Sequence, residues 1–324
     1  MAHRVRIHEQ GPPSVLRYED VEIGEPGPTQ VRLRQEAIGV NFVDTMFRDG
    51  TIKVSLPFDI GVEGAGIVDA VGTNVSGLKV GDRAAYWFAF GSYADVRLVE
   101  ADALVKLPDE VSTELASAVF AKGFTAWAAL KKVHVVQPSE TVLVHAAAGG
   151  VGSLLASWAK ALGATVIATV GSQDKAFSVR QRGIEHVLDA TDPDLVTNIR
   201  AITNDQGVDV AYELVGKATF GKSVEAMRDG GDLIHIGNAS GSPRVDQVAL
   251  ASRSIRYAKP STGQFVRDRL TLEEAATDLL DAFRAGVFGE IPVTRYPLAD
   301  VSQAHEDIAA RRIVGSVVLI PSVT

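Results

Sequence analysis

The sequence predicts an α/β protein that combines a small β-barrel with a doubly wound parallel sheet of six strands. Residues 140–175 read as a strand, a glycine-rich turn, a helix and a second strand, which together have the size of one βαβ unit. Short apolar strands then alternate with helical segments up to residue 258. Residues 1–105 instead hold short strands punctuated by glycine and proline, a pattern typical of a curved antiparallel barrel.

The order of apolar residues defines the βαβ unit. Residues 142–144 form a run rich in branched side chains, which suits a buried strand. Apolar residues at helical spacing begin at Val151 and continue to Leu162, and Gly163 is placed to end that helix. Residues 165–170 then supply the second strand.

Three glycines, Gly149, Gly150 and Gly152, follow the first strand within four positions. Because glycine has no Cβ, the backbone can turn tightly against a diphosphate while the amides at the helix N-terminus point toward it. Written as G-x-G-x-x-G, the motif has alanine at its first position. The strand before the turn and the helix after it are the context that the motif requires. The predicted diphosphate-binding residues are Ala147, Gly149, Gly150, Val151 and Gly152.

The end of the second strand indicates which dinucleotide binds. An NAD site usually carries an acidic residue about 20 residues after the glycines, whereas residues 171–175 read GSQDK. Ser172 can donate a hydrogen bond to a 2′-phosphate, and Lys175 can offset its charge. Asp174 argues mildly for NAD, and a lysine at a helix start is often only solvated. The sequence therefore favours NADPH over NADH.

Composition bounds the remaining possibilities. The chain has 324 residues, of which 46% are hydrophobic, enough for two domains. The net charge of −8 and the absence of a basic run disfavour binding to nucleic acid or to anionic membranes. There are no cysteines, which excludes disulfides, thiolate ligands and a cysteine nucleophile. No signal-peptide core or membrane-length apolar run is visible, so a cytoplasmic protein is expected.

The later strands are predicted at residues 186–188, 208–214, 233–236 and 254–258, with a helix over residues 220–228. Ligands of such sheets bind at the carboxyl ends of the strands. Gly237, Asn238 and Ser240 occupy such a position. The last strand is expected to be an open edge through which a homodimer can form.

Five segments resemble one known family. AAAGGVG, WAKALGA, GVEGAG, VGDR and VNFVD are similar to segments of the zinc-independent, zeta-crystallin-like quinone oxidoreductases of the medium-chain dehydrogenase/reductase superfamily. The resemblance covers essentially the whole chain, in order. It implies a GroES-like catalytic domain over residues 1–122, a Rossmann NADPH-binding domain over residues 123–262, and a return to the catalytic domain over residues 263–324.

The same resemblance bears on zinc. Zinc alcohol dehydrogenases of the superfamily carry a cysteine where this chain has Asn41 and a histidine where it has Val62. The cysteines of a structural zinc site are also absent. Because zinc needs several such ligands in fixed geometry, the sequence predicts no metal site.

Site residues follow from the resemblance, position by position. It implies that Asn41 and Asp44 form the catalytic set near the nicotinamide and the substrate, and that Asn41 also belongs to the cofactor-binding residues. It further implies that Thr125 approaches the nicotinamide half of the cofactor. It also places Gly237, Asn238 and Ser240 near the nicotinamide ribose, and Ser172, Lys175 and Arg311 near the adenosine phosphate. Asp44 is equally interpretable as a helix cap. Alternative interpretations also exist for Thr125, as a packed hydroxyl, and for Arg311, as a solvated helix end.

The predicted activity is NADPH-dependent hydride transfer to a quinone or to a C=C bond conjugated to a carbonyl. The Asn41 amide would stabilise the negative charge that develops on the acceptor oxygen. An enoyl-thioester or enal reductase uses the same site with a different pocket shape. A third possibility is an NADPH-binding protein without turnover. A short-chain reductase is disfavoured, because the sequence contains no Tyr-x-x-x-Lys.

Overall fold

Short antiparallel strands and one helix make up the first part of the chain. The computed structural model describes residues 2–310 and 312–322. The first elements are β1 (Ala2–Ile7), β2 (Leu16–Val21), β3 (Gln30–Val40), α1 (Phe42–Asp49), β4 (Phe58–Asp59), β5 (Glu63–Val71), β6 (Arg83–Trp87), β7 (Val96–Glu100) and β8 (Leu104–Lys106). In β3, buried Val31, Leu33 and Ala37 alternate with more exposed polar residues, since successive side chains of a strand point to opposite faces.

A long helix leads from these strands into the parallel sheet. Helix α2 (Thr113–Ala128) continues into a π-helical turn, Ala129–Val133. The sheet and its helices are β9 (Thr141–Val144), α3 (Gly150–Ala161), β10 (Thr165–Val170), α4 (Gln173–Arg180), β11 (His186–Asp189), α5 (Leu195–Ile202), β12 (Val208–Glu213), α6 (Phe220–Ala226), β13 (Met227–His235), α7 (Gln247–Ser252) and β14 (Arg256–Ala258).

The six strands are parallel and lie in the order β11-β10-β9-β12-β13-β14. The predicted doubly wound sheet is therefore confirmed. The strand order reverses beside β9, which is where sheets of this kind bind ligands at their carboxyl ends. Leu143, Ile167, Ala211 and Leu233, one from each of four adjacent strands, are fully buried in one apolar core.

One predicted boundary in this sheet is wrong. The helix expected over residues 220–228 ends at Ala226, and β13 begins at Met227 rather than at Leu233. Met227 pairs with Val208 of β12, and the register then shifts before Val210 pairs with Asp232. Gly230 and Gly231 interrupt the apolar pattern of β13. The first part of this strand depends on pairing with its neighbour and is not recognisable from the local sequence.

The end of the chain adds strands to the first part. The remaining elements are α8 (Arg269–Arg284), β15 (Val293–Pro297), α9 (Val301–Ala309) and β16 (Ser316–Ile320). Strand β16 pairs with β15 and with β3, giving a seven-stranded sheet in the order β15-β16-β3-β5-β6-β8, and β7 also pairs with β3. Strands β2, β1 and β4 form a separate three-stranded sheet.

The chain divides into two compact units. Unit 1 comprises Met1–Ala121, Asp268–Ala276 and Pro292–Thr324, and unit 2 comprises Lys122–Arg267 and Thr277–Ile291. The predicted domains differ from this division at residue 122 and over residues 263–267 and 277–291. Within unit 2, Asp278 accepts hydrogen bonds from Trp127 Nε1 at 2.7 Å and from Lys131 Nζ at 2.8 Å. None of the described helices is long and apolar enough to span a membrane.

Candidate active site

The predicted diphosphate turn lies in unit 2, between the end of β9 and the start of α3. Gly149 is the N-cap residue of α3. Among the described residues, no side chain caps this helix end, and its first turn contains no acidic residue. Backbone amides and the positive end of the helix dipole are therefore directed at this position, which suits an anion.

Glycine is required at the last position of this motif. A Cβ added to Gly152 would lie 2.3 Å from the Ala146 carbonyl oxygen and 2.9 Å from its carbonyl carbon. At Gly149 the same atom would lie 3.2 Å from that oxygen. The turn thus packs directly against the start of α3, the close approach that a dinucleotide turn needs. The turn and the uncapped helix end fit a bound dinucleotide.

The residues predicted for the 2′-phosphate lie at the end of β10. A Cβ added to Gly171 would meet no atom within 4 Å, so the backbone is open there. Ser172 is the N-cap of α4, and its Oγ accepts a hydrogen bond from the Lys175 backbone N–H at 3.4 Å. A serine hydroxyl that accepts one bond can still donate another. The arrangement therefore accommodates a phosphate at the start of α4.

The residues predicted for the nicotinamide ribose lie beyond β13 and are held by neighbouring groups. His235 Nε2 lies 2.9 Å from Asn238 Oδ1. Ser240 Oγ donates to the Val215 carbonyl oxygen at 2.8 Å and accepts from the Ala218 N–H at 2.9 Å. Thr125 is on α2, and its Oγ1 lies 3.0 Å from Thr262 Oγ1.

Asn41 is held by a carboxylate that the sequence analysis did not single out. It precedes α1 in unit 1, and its Nδ2 donates to Glu63 Oε1 at 2.8 Å. Glu63 is fully buried in β5 and also accepts a hydrogen bond from the Ala121 N–H at 2.7 Å. A buried charge needs such donors. The two carboxylate bonds determine how the Asn41 amide is oriented.

Asp44 is fully buried and acts within the protein as a helix cap. Its Oδ2 accepts hydrogen bonds from the Asn41 backbone N–H at 2.8 Å and from the Tyr93 hydroxyl at 3.0 Å. Burial, followed by the charge of Asp44, raises the pKa of Tyr93 well above its usual value, so the hydroxyl stays protonated and donates. This arrangement supports the interpretation of Asp44 as a cap.

His305 also contacts Tyr93. Its Nε2 lies 3.0 Å from the Tyr93 oxygen, and among the described residues its Nδ1 has no hydrogen-bond partner. Burial, together with the nearby charge of Arg48, lowers the pKa of His305 to about 3. Since Tyr93 donates to Asp44, the neutral ring donates from Nε2, and a second proton on Nδ1 would be buried without an acceptor.

This histidine predicts a pH-dependent stability. An unfolded histidine has a pKa of about 6.5, so below that pH the unfolded chain binds a proton that the native chain does not bind. The free energy of unfolding therefore falls with decreasing pH, by up to about 1.4 kcal/mol per pH unit, until pH reaches about 3. We expect His305→Phe to remove this contribution. Urea unfolding at pH 6 and pH 4.5 measures the slope of the free energy of unfolding against pH. His8→Gln, at an exposed histidine, is the control. Equal slopes for His305→Phe and the native protein would contradict the assignment of this pH dependence to His305.

The remaining predictions concern Arg311 and a metal. Arg311 lies outside the residues that the structure describes. Within residues 2–310 and 312–322, no three His, Asp or Glu side chains come together as a metal-binding group. Two buried glutamates were not predicted as site residues: Glu63, at the start of β5, and Glu213, at the end of β12.

Two family models match the chain. The alcohol dehydrogenase GroES-like domain matches residues 27–109, and the zinc-binding dehydrogenase model matches residues 150–281. The second model bears the name of zinc-binding dehydrogenases. The resemblance described above implies that Asn41 and Val62 replace two zinc ligands of such enzymes.

Curated proteins and solved structures resemble the chain over its whole length. A quinone oxidoreductase of Pseudomonas aeruginosa is 38% identical over 99% of this chain and 100% of its own length. A 2-haloacrylate reductase of Burkholderia sp. is 36% identical over 97% of this chain and 98% of its own. The crystal structure of Escherichia coli quinone oxidoreductase complexed with NADPH superposes with a TM-score of 0.94 at 37% identity, covering 98% of this chain and 100% of that one. The resemblance inferred from sequence is confirmed: the chain belongs to the quinone oxidoreductase family of the medium-chain dehydrogenase/reductase superfamily.

Proposed function

We propose that this protein uses NADPH to reduce a quinone or a C=C bond conjugated to a carbonyl, without zinc. The observation that carries the proposal is the uncapped N-terminus of α3 behind a turn that only glycine permits. Full-length similarity to a quinone oxidoreductase and to a 2-haloacrylate reductase supports the two acceptor classes. The related E. coli structure with bound NADPH supports the cofactor.

The residues of the chain would bind the cofactor, orient it and stabilise the negative charge that develops on the acceptor. The first amides of α3 would hold the diphosphate, Ser172 and Lys175 the 2′-phosphate, and the loop from Gly237 to Ser240 the nicotinamide ribose, with Thr125 also on the nicotinamide side. When bound, NADPH supplies the hydride. The Asn41 amide, oriented by Glu63, would donate a hydrogen bond to the acceptor oxygen, where negative charge develops. Water would supply the proton.

A panel of acceptors tests the function. NADPH and NADH oxidation is followed by absorbance with 1,4-benzoquinone, an enone, 2-chloroacrylate, an enal and an enoyl thioester. We expect turnover above background with at least one of the first three acceptors, and faster turnover with NADPH than with NADH. Turnover with enals or enoyl thioesters alone would favour the enoyl-reductase alternative. NADPH binding without oxidation by any acceptor would favour the non-catalytic alternative and would contradict the proposal.

Lys175 should determine part of the cofactor preference. Lys175→Ala removes a charge beside the proposed 2′-phosphate site, and an exposed charge-assisted bond of this kind is worth about 1.4 kcal/mol. The ratio of kcat/KM for NADPH to that for NADH should fall about tenfold, with the value for NADH unchanged. Lys79→Ala, at an exposed position of unit 1, is the control. An unchanged ratio would show that Lys175 does not contribute to binding of the 2′-phosphate.

We also propose a homodimer formed through β14. This strand is the last in the six-stranded sheet and pairs only with β13 among the described strands. Its other edge is thus available for pairing with a second copy. Light scattering should give about twice the chain mass of 34.4 kDa. The mass of a single chain at micromolar concentration would contradict the proposal.

A further inference from the structure

One fully buried carboxylate collects four donors at the carboxyl end of the parallel sheet. Glu213 is the last residue of β12 and is 0% exposed. It accepts hydrogen bonds from the backbone N–H groups of Val215 at 2.7 Å and Gly216 at 2.9 Å. It also accepts from the hydroxyls of Thr219 at 2.8 Å and Ser223 at 2.8 Å. A buried charge is kept out of water only when donors replace its hydration in this way.

The loop that Glu213 holds is joined in turn to the loop proposed for the nicotinamide ribose. The Val215 carbonyl oxygen accepts hydrogen bonds from both the backbone N–H of Ser240 at 2.7 Å and its hydroxyl at 2.8 Å. Gly216 has a φ of +91° in the left-handed region, and an added Cβ would lie 2.4 Å from the Gly241 carbonyl oxygen. The two loops are therefore in close contact, and the position of one determines the position of the other.

The same carboxylate is also linked to the diphosphate turn. Ser223 donates its only hydroxyl hydrogen to Glu213, so His145 Nε2, at 2.9 Å from Ser223 Oγ, donates to that oxygen. His145 Nδ1 then accepts from Thr169 Oγ1 at 2.8 Å. Burial lowers the pKa of His145, in agreement with a neutral ring. His145 directly precedes Ala146, the residue against which the glycine turn packs.

We infer that Glu213 is a positioning residue for cofactor binding, which holds the nicotinamide-ribose loop in register with the diphosphate turn. The inference rests on the proposed function, because that function assigns the two loops to NADPH. A glutamine cannot replace the carboxylate fully, since its NH2 group would face a donor. Loss of the charge should displace residues 215–219 and, through Val215, the loop around Ser240.

Binding of whole and partial ligands tests this inference. NADPH would contact both loops, whereas 2′-AMP carries only the adenosine and the 2′-phosphate and would contact the start of α4. By calorimetry, Glu213→Gln should raise the Kd for NADPH about tenfold and change the Kd for 2′-AMP less than twofold. Thr219→Val, which removes one donor and keeps the shape, should raise the Kd for NADPH about threefold if Glu213→Gln does not fold.

A matched variant separates positioning from general destabilisation. Asp232→Asn removes another buried carboxylate of the same sheet, which pairs with Arg256 and His134 instead. It should leave both Kd values unchanged. An unchanged Kd for NADPH in Glu213→Gln, or equal weakening of both ligands, would overturn the inference while the proposed function stands. If the native protein binds NADPH but reduces no acceptor, the function fails, and the binding comparison still decides the role of Glu213.

Discussion

Replacing Gly152 by alanine is expected to raise the Kd for NADPH about 100-fold. The new Cβ would stand 2.3 Å from the Ala146 carbonyl oxygen, a backbone atom that cannot rotate away. Overpacking of this kind typically costs 1–3 kcal/mol, and about 2.7 kcal/mol corresponds to a 100-fold change. The start of α3 would move away from β9, taking its amides out of position. Fluorescence titration with NADPH measures the change.

A second glycine provides the control for this substitution. Gly221, in α6 of the same unit, has no atom within 4 Å of an added Cβ. Gly221→Ala should therefore leave NADPH binding unchanged and increase helix stability slightly. If Gly152→Ala bound NADPH within threefold of the native protein, the close packing of turn and helix would not be what forms the site.

Replacing Asn41 by alanine is expected to lower kcat about 100-fold. Removing a single hydrogen-bond donor to a developing oxyanion typically has this effect. The Kd for NADPH should change far less than kcat, because the residues predicted to bind its phosphates are elsewhere in the chain. Steady-state kinetics with the best acceptor of the panel measures kcat.

Another asparagine of the same unit serves as the reference. Asn74 is exposed, and Asn74→Ala should match the native protein in both kcat and Kd. If Asn41→Ala raised KM alone and left kcat unchanged, the amide would contribute to acceptor binding in the ground state and not to the transition state. That result would contradict the role proposed for Asn41.

The fold was largely predictable because its signals are local. The glycine turn, the helical spacing after it and the short apolar strands are each contained in a few consecutive residues, and together they predicted the six-stranded parallel sheet. The boundary between α6 and β13 was not predictable, because Met227 becomes a strand residue only through its pairing with Val208. Local residue propensity does not predict a strand that forms only through pairing with a distant strand.

The supporting contacts of the site were beyond sequence reasoning for a related reason. Asn41 and Glu63 meet because β3 and β5 pair in a register that places Gly39 opposite Glu63. Tyr93 and His305 are 212 positions apart in the chain. Glu213 looked like an ordinary residue at the end of a strand, and its importance depends on donors that only the folded loop assembles. The positions of glycines and apolar residues in the sequence predict the fold. The hydrogen-bond partners of buried carboxylates depend on three-dimensional proximity and cannot be predicted in this way.

The start of α4 connects cofactor choice to local order. Ser172 caps this eight-residue helix through one bond of 3.4 Å to the Lys175 N–H, which is long for a hydrogen bond. A phosphate at the same helix end would add acceptor oxygens and negative charge to those of Ser172 and Asp174. Occupancy by NADPH should therefore slow amide hydrogen exchange along α4, whereas NADH should leave the helix fraying as in the free protein.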